Sequence, residues 1–249
     1  AAALADGIGY ACTINEPQVG ITFRAFAAGS DHFAKQDEVQ ALAHAEATRR
    51  TSAERFVTMN HPEIQAMQPN LMAAHAQAYA AIRAARSDLP TGVTLNLVDS
   101  QPANEGSPYE ALREKAFGPW LEVAARTGDF VGVQTYRQIR IPGPGAELDG
   151  YEPVAHVEPS DRGEVIKQPT ALRNTVTYVH ERTGRPIFVT ENGLETDDDR
   201  RRAWYLPRVL GHLHEAIESG VPVIGYCYWS LIDNFEWLQG YGPKFGLAE

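Results

Sequence analysis

The run Pro186-Ile187-Phe188-Val189-Thr190-Glu191-Asn192-Gly193 joins a short apolar segment to a carboxylate and a turn. The apolar and β-branched residues 187–190 predict a strand buried in a sheet, and Asn192-Gly193 predicts a turn directly after it. A charged side chain at the end of a buried strand destabilises the fold unless it has a partner of opposite charge or is solvated. We therefore interpret Glu191 as a residue placed for chemistry.

Helices are predicted on both sides of this strand. The segment from Pro169 to Arg182 is helical in pattern, and it stops at Gly184, with Pro186 just beyond as a second stop signal. The segment from Asp199 to Ser219 is also helical, and Thr196 predicts a capping-box-like start for it. The strand therefore connects two helices.

The same alternation runs through the rest of the chain. Five runs predict buried strands: Gly9 to Asn15, Val93 to Val98, Phe130 to Tyr136, Pro186 to Thr190 and Val221 to Trp229. Two more helices are predicted, Asn70 to Arg86 and Pro108 to Arg126, the second interrupted at Gly118-Pro119. Strands that alternate with helices indicate a parallel sheet with helical crossovers, the (β/α) class.

Composition narrows the possible partners. The net charge of −10, from 32 acidic and 22 basic side chains, disfavours nucleic acid and anionic membrane. The two cysteines, Cys12 and Cys227, predict neither a disulfide framework nor a zinc cluster. Without a signal-peptide pattern or an apolar run of membrane-spanning length, a cytoplasmic enzyme is expected, although a removed signal would leave no trace.

Two further runs carry polar groups at strand ends. In Thr13-Ile14-Asn15-Glu16-Pro17 the proline biases the residue before it towards extended backbone, which holds Glu16 at the end of a strand. The run from Tyr226 to Trp237 mixes aromatic side chains with amides and carboxylates, a combination suited to binding sugars. Two carboxylates at the ends of separate strands can supply an acid and a nucleophile to one glycosidic bond. The residues therefore predict glycoside hydrolysis.

These motifs also carry a family resemblance. Asn15-Glu16-Pro17, Thr190-Glu191-Asn192-Gly193 and the stretch from Tyr226 to Gly246 resemble, in order, the acid/base, nucleophile and last-strand motifs of glycoside hydrolase family 1, the β-glucosidase family. The resemblance implies a (β/α)8 TIM-barrel fold, of which the chain carries about five of eight βα units, from the fourth strand to the eighth. Residues 1–249 are then a single, partial glycosidase barrel domain.

The resemblance implies a role for each carboxylate. Glu16 would be the general acid and then the base, with Asn15 beside it bonding the sugar 2-hydroxyl. Glu191 would be the nucleophile that forms a covalent glycosyl-enzyme. A retaining mechanism requires carboxyl groups roughly 5–5.5 Å apart, with the pKa of Glu16 raised and Glu191 kept ionised by surrounding donors.

Tyr136 matches a family tyrosine that donates to the nucleophile and orients it. The match is imperfect, because Gln134 and Thr135 stand where the family usually has Asn and Tyr. The alternative for Tyr136 is a core tyrosine whose hydroxyl reaches solvent.

Trp229, Glu236 and Trp237 match family positions that contact the sugar. Glu236 could accept hydrogen bonds from the 4- and 6-hydroxyls of a hexose, and the indoles of Trp229 and Trp237 could stack on the faces of the sugar ring. For each indole the alternative is core packing. Family members that act on phosphorylated sugars usually carry a serine at the position of Glu236, so unphosphorylated sugars are expected.

The sequence thus predicts a retaining, β-glucosidase-like enzyme for β-linked hexosides, needing no metal or organic cofactor. Two alternatives stay open. One is a non-catalytic sugar-binding or scaffold fragment. The other is a half-barrel that assembles with a second chain or with its own copy, because an open parallel sheet leaves unpaired edges. The stretch 23–68 has no assigned role, and Asp149 to Lys167 is expected to be a loop.

Overall fold

The computed structural model describes residues 7–26, 32–52, 64–143 and 168–248. The strands are β1 (Ala11–Asn15), β2 (Thr91–Asn96), β3 (Asp99–Pro102), β4 (Phe130–Gln134), β5 (Gln138–Ile141), β6 (Ile187–Asn192) and β7 (Val223–Tyr228). The helices are α1 (Val19–Phe26), α2 (His32–Thr51), α3 (Ile64–Ala85), α4 (Tyr109–Arg126), α5 (Thr170–Thr183) and α6 (Asp199–Glu218). A short 3-10 turn, Trp237–Gln239, follows β7.

Five strands form one parallel sheet in the order β1-β2-β4-β6-β7. These are the five strands that the sequence predicts, each within a few residues of its expected ends. Every neighbouring pair is parallel, as helical crossovers require. The predicted (β/α) class is confirmed.

The inner strands are the core of the sheet. All residues of β2 and β4 are buried, whereas the edge strands β1 and β7 alternate between half-buried and exposed positions. Apolar side chains are exposed next to both edges, including Tyr10 at 44% and Ile224 at 38%. The sheet therefore has a packed centre and two edges that are only partly covered.

A second, two-stranded parallel sheet pairs β3 with β5. This sheet is not predicted from the sequence, because both strands are short and β3 is polar, so neither has a strong two-residue alternation of apolar side chains. Asp99 of β3 is buried and accepts hydrogen bonds from Gln101, Gln138 and Asn174 at 2.7, 2.7 and 2.9 Å. These bonds satisfy the buried carboxylate.

Several helix predictions need correction. Helix α4 runs through Gly118-Pro119 without a break, since Phe117 and Trp120 on its buried face hold it against the core. The N-cap of α6 is Asp198, not Thr196, because the Asp198 carboxylate reaches the N–H of Arg200 at 3.0 Å. The Thr196 hydroxyl instead accepts from the N–H of Asp198 at 3.1 Å.

The unassigned stretch 23–68 is largely helical where it is described, with the end of α1, all of α2 and the start of α3. Helix α3 begins six residues before the predicted start at Asn70. The helix end predicted at Gly184 is confirmed, because Gly184 adopts φ of 64° and its N–H donates to the carbonyl of His180 at 2.8 Å. The loop predicted over Asp149 to Lys167 lies outside the described residues.

No helix among the described residues is both long and apolar enough to cross a membrane.

Candidate active site

Polar residues lie at the carboxyl end of the main sheet, where its parallel strands finish. The register pairs Asn15 of β1 with Thr94 of β2, and Gln134 of β4 with Glu191 of β6. Glu16 directly follows β1, and its N–H donates to the carbonyl of Thr94 at 3.0 Å. Because all five strands are parallel, their carboxyl ends lie at the same end of the sheet. The predicted pair Glu16 and Glu191 is therefore brought to the same end of the sheet.

Glu16 does not adopt the extended backbone that the following Pro17 predicts for it. Its φ of 47° lies in the left-handed region, and its Oε1 accepts a 2.8 Å hydrogen bond from Nδ2 of Asn96. Burial raises the pKa of Glu16 to about 7, a value that includes the lowering effect of the bond from Asn96 and the raising effect of the charges of Glu191 and Glu236. A carboxyl group in this environment keeps its proton close to neutral pH, the property expected of a general acid.

Glu191 receives a donor on each carboxylate oxygen. The hydroxyl of Tyr136 donates to Oε2 at 2.6 Å, and Nε2 of Gln134 donates to Oε1 at 2.6 Å. The hydrogen bond that we expected from Tyr136 is therefore present. Burial nevertheless raises the pKa of Glu191, the Tyr136 bond lowers it, and the charge of Glu236 raises it. The donors therefore do not fully offset the effect of burial on the pKa of Glu191.

Gln134 links the two halves of the site. Its Nε2 also donates to Oδ1 of Asn15 at 2.9 Å, and Thr94 Oγ1 donates to the same oxygen at 2.9 Å. A chain of hydrogen bonds thus runs from the neighbour of Glu16 to Glu191. Sequence reasoning identified Gln134 only as a departure from the family pattern, and it missed Asn96 and Thr94. The available signal was their polar character within a predicted buried strand.

Asn192, next to Glu191, fixes the end of β6. Its Nδ2 donates to the carbonyl of Thr135 at 2.6 Å, and its Oδ1 accepts from the hydroxyl of Tyr226 at 3.0 Å. A side chain at Gly193 would meet the carbonyl oxygen of Trp229 at 1.9 Å, so only glycine fits there. These contacts explain why Thr190-Glu191-Asn192-Gly193 combines an amide with a glycine after the carboxylate.

The aromatic segment after β7 lies close to both carboxylates. Oε1 of Glu236 accepts from Nε1 of Trp229 at 3.1 Å and from Nδ2 of Asn234 at 2.8 Å. The charge of Glu236 raises the pKa of both Glu16 and Glu191, which requires it to be near them. Trp237 is 80% exposed, so core packing does not explain that indole, whereas Trp229 is half-buried.

Comparison with known proteins identifies the family. The family model described as Glycosyl hydrolase family 1 matches residues 127–248. Among curated proteins, the chain is 38% identical over 133 residues to the chloroplastic galactolipid galactosyltransferase SFR2 of Arabidopsis thaliana, covering 52% of this chain and 20% of that protein. It is 33% identical over 156 residues to a β-galactosidase of Sulfolobus acidocaldarius, covering 62% of this chain and 31% of that protein.

Solved structures agree with this result over nearly the whole chain. A β-glucosidase named 1317 superposes with a TM-score of 0.82 at 31% identity, and the β-glycosidase BGL167 with 0.80 at 34% identity. Each match covers 98% of this chain and 58% of the solved one. The predicted fold, part of a (β/α)8 barrel, is confirmed, and the chain spans little more than half the length of these structures. The family model and these structures therefore support a fragment of glycosyl hydrolase family 1.

Proposed function

We propose that the chain carries the catalytic carboxylates of a retaining β-glycosidase that acts on β-linked, unphosphorylated hexosides. The observation that carries this proposal is the contrast between the two carboxyl groups. Glu191 has a hydrogen-bond donor on each oxygen, whereas Glu16 is half-buried, accepts one side-chain hydrogen bond and has a pKa raised to about 7. One group is equipped to stay ionised, and the other is equipped to hold a proton.

In the first step, an oxygen of Glu191 bonds to the anomeric carbon while the glycosidic C–O bond breaks. Glu16 gives its proton to the leaving oxygen, so no free alkoxide forms. In the second step, the Glu16 carboxylate takes a proton from water as the water oxygen attacks the anomeric carbon, and the bond to Glu191 breaks. Tyr136 and Gln134 stabilise the charge of the Glu191 carboxylate before the glycosyl-enzyme forms and after it is hydrolysed.

Trapping of the covalent intermediate tests the role of Glu191. We expect 2,4-dinitrophenyl 2-deoxy-2-fluoro-β-D-glucoside to increase the intact mass of the chain by one fluoroglucosyl group, located at Glu191 by peptide analysis. The fluorine slows both steps, and the reactive leaving group lets the first step occur. Glu191→Gln should label at least about a thousandfold more slowly, since the amide cannot attack.

The matched control is Glu195→Gln, which removes the charge of an exposed glutamate four residues further on and should label like the wild type. Labelling of Glu191→Gln at the wild-type rate, or an unlabelled wild type, would contradict the proposal. The second result would favour a non-catalytic sugar-binding fragment, or a half-barrel that needs a complementing chain for activity.

The role of Glu16 has its own test. In Glu16→Ala, substrates with a good leaving group need little protonation, so the first step should survive. Azide, which needs no base, should then replace water and yield a β-glycosyl azide. If azide neither speeds turnover nor appears in the product, Glu16 is not the acid/base.

Transfer to a sugar hydroxyl is a second candidate function, because the relative that is 38% identical is named a galactosyltransferase. The same glycosyl-enzyme would then pass its sugar to another hydroxyl instead of water. Product analysis with and without an added glycoside acceptor distinguishes hydrolysis from transfer.

A further inference from the structure

The turn that carries Glu16 has a left-handed backbone. Glu16 adopts φ of 47°, and a residue other than glycine is strained in this region and stays there only where surrounding contacts hold it. Its N–H donates to the carbonyl of Thr94 at 3.0 Å, and its carbonyl accepts from the N–H of Val19 at 3.1 Å. The next residue, Pro17, is buried and has no N–H, so only its carbonyl is available for a further hydrogen bond.

That carbonyl accepts a hydrogen bond from helix α3. Nε2 of Gln68 donates to the carbonyl of Pro17 at 3.1 Å and to the carbonyl of Ile64, one turn earlier in α3, at 3.2 Å. Both hydrogens of the amide are therefore used. Gln68 is 6% exposed, so these bonds are shielded from water. The contact joins the turn at Glu16 to a helix that is 51 residues away along the chain.

Helix α4 fixes the orientation of the Gln68 amide. Nε1 of Trp120 donates to Oε1 of Gln68 at 2.6 Å, and Trp120 is 1% exposed. An indole N–H can only donate, so the oxygen of the amide must face Trp120 and the nitrogen must face Pro17. Reversal of the amide would place two donors against each other. A core side chain on α4 thus determines that Gln68 donates to the turn.

We propose that Gln68 is a positioning residue that holds the turn at Glu16, and with it the carboxyl group that gives and takes the proton. The inference rests on the proposed function, in which Glu16 is the acid and then the base. Gln68 bonds the neighbour of Glu16 and not its carboxyl group, so it acts through the backbone. It is the last residue of the stretch 23–68, for which the sequence predicts no role.

Loss of this contact should have an effect that depends on the leaving group. In Gln68→Met, which keeps the length but has no amide, the turn can relax and carry the carboxyl group away from its 2.8 Å bond with Asn96. A displacement of about 1 Å can slow a reaction about a hundredfold. Phenyl β-D-glucoside needs a proton from Glu16 as its glycosidic bond breaks, whereas 2,4-dinitrophenyl β-D-glucoside does not. Only the phenyl glucoside should therefore react more slowly in the first step.

Steady-state kinetics with these two glucosides test the proposal. In Gln68→Met, kcat/KM for the phenyl glucoside should fall at least about tenfold, and for the dinitrophenyl glucoside it should stay within about threefold of the wild type. For the dinitrophenyl glucoside, kcat and KM should fall together, because the attack of water still needs Glu16 as the base and the glycosyl-enzyme accumulates. Added azide, which needs no base, should restore kcat. A loss of stability alone would lower kcat/KM for both glucosides by the same factor.

Gln101→Met is the matched control. It makes the same replacement at a half-buried glutamine whose amide donates to Asp99 in the second sheet at 2.7 Å, so the ratio of the two kcat/KM values should stay at the wild-type value. Trp120→Phe removes the donor that orients Gln68 and should change the ratio in the same direction as Gln68→Met. That second variant keeps the test decisive if Gln68→Met does not fold.

A wild-type ratio in the folded Gln68→Met variant, or in Trp120→Phe if only that variant folds, overturns the proposal while the proposed function stands. An equal change of the ratio in Gln101→Met also overturns it, because the effect would then not depend on the turn at Glu16. A wild type that hydrolyses neither glucoside contradicts the proposed function and this inference together.

Discussion

Nδ2 of Asn96 donates a 2.8 Å hydrogen bond to Oε1 of Glu16, and among the described residues no other side chain donates to this carboxyl group. Glu191, in contrast, has two donors. A hydrogen bond to a carboxylate favours its charged form. The asymmetry leaves Glu16 with the weaker support for its charge, which suits the acid/base role that we propose for it.

Replacement of Asn96 should raise the pKa of Glu16 further. Asn96→Leu has a similar shape but no donor, so the carboxyl should titrate above the present value of about 7. The measurement is a pH titration of the Glu16 side-chain carbon by ¹³C NMR. Asn174→Leu, which removes an amide that bonds Asp99 instead, serves as the control and should leave the titration of Glu16 unchanged. An identical midpoint in Asn96→Leu and wild type would show that the bond does not tune Glu16.

The raised pKa of Glu16 should make stability depend on pH. The value is 4.5 for an unperturbed glutamate and about 7 in the fold, so the folded state binds more protons between these values. Stability should therefore be greatest below pH 4.5 as far as this group is concerned, and it should fall by about 3 kcal/mol as pH rises to 7. Denaturant unfolding of Glu16→Gln should lack this fall, whereas Glu195→Gln should keep it. Parallel curves for wild type and Glu16→Gln would rule out the shift.

Loss of the Tyr136 hydroxyl should raise the pKa of Glu191. The hydroxyl donates to Oε2 at 2.6 Å, and this bond lowers the pKa of the carboxyl group. In Tyr136→Phe the labelling by the fluoroglucoside should therefore begin at higher pH than in the wild type. Tyr79→Phe, which removes a hydroxyl that bonds Asp129, should label with the wild-type profile. A profile in Tyr136→Phe that matches the wild type would mean that the bond does not support the charge on Glu191.

The exposed sheet edges should make the 249-residue chain associate. Apolar side chains near β1 and β7, such as Ile8 at 44% and Ile224 at 38% exposure, lie beside strands with one unpaired side. Light scattering after gel filtration should detect oligomers. Ile224→Lys should reduce them, whereas Leu210→Lys, at a 41% exposed position on α6, should not. A monodisperse wild-type monomer would contradict this expectation.

A second chain that covers the edge strands β1 and β7 should also raise glucoside hydrolysis. A chain that supplies the three barrel units absent from residues 1–249 should raise glucoside hydrolysis well above the level of this chain alone. Hydrolysis that is already at the level of a complete barrel would mean that those units contribute little to the site.

The sequence by itself determined the five strands of the main sheet, helices α3 to α6 and the two carboxylates, but it did not determine α1 and α2. Apolar runs such as Ile187 to Val189 and stop signals such as Gly184 act over a few residues, so they can be read without tertiary context. The positions of Glu16 and Glu191 at strand ends followed from the same local patterns.

Only the tertiary structure decided which polar groups meet there. Gln134 contacts both Asn15 and Glu191 because the strand register places Thr94 beside Asn15, Asn96 beside Gln134, and Gln134 beside Glu191. A shift of one residue between strands would turn these side chains to the other face of the sheet. The register is set by the packing of the whole sheet, over separations of up to 119 residues between bonded side chains, and no local pattern encodes it.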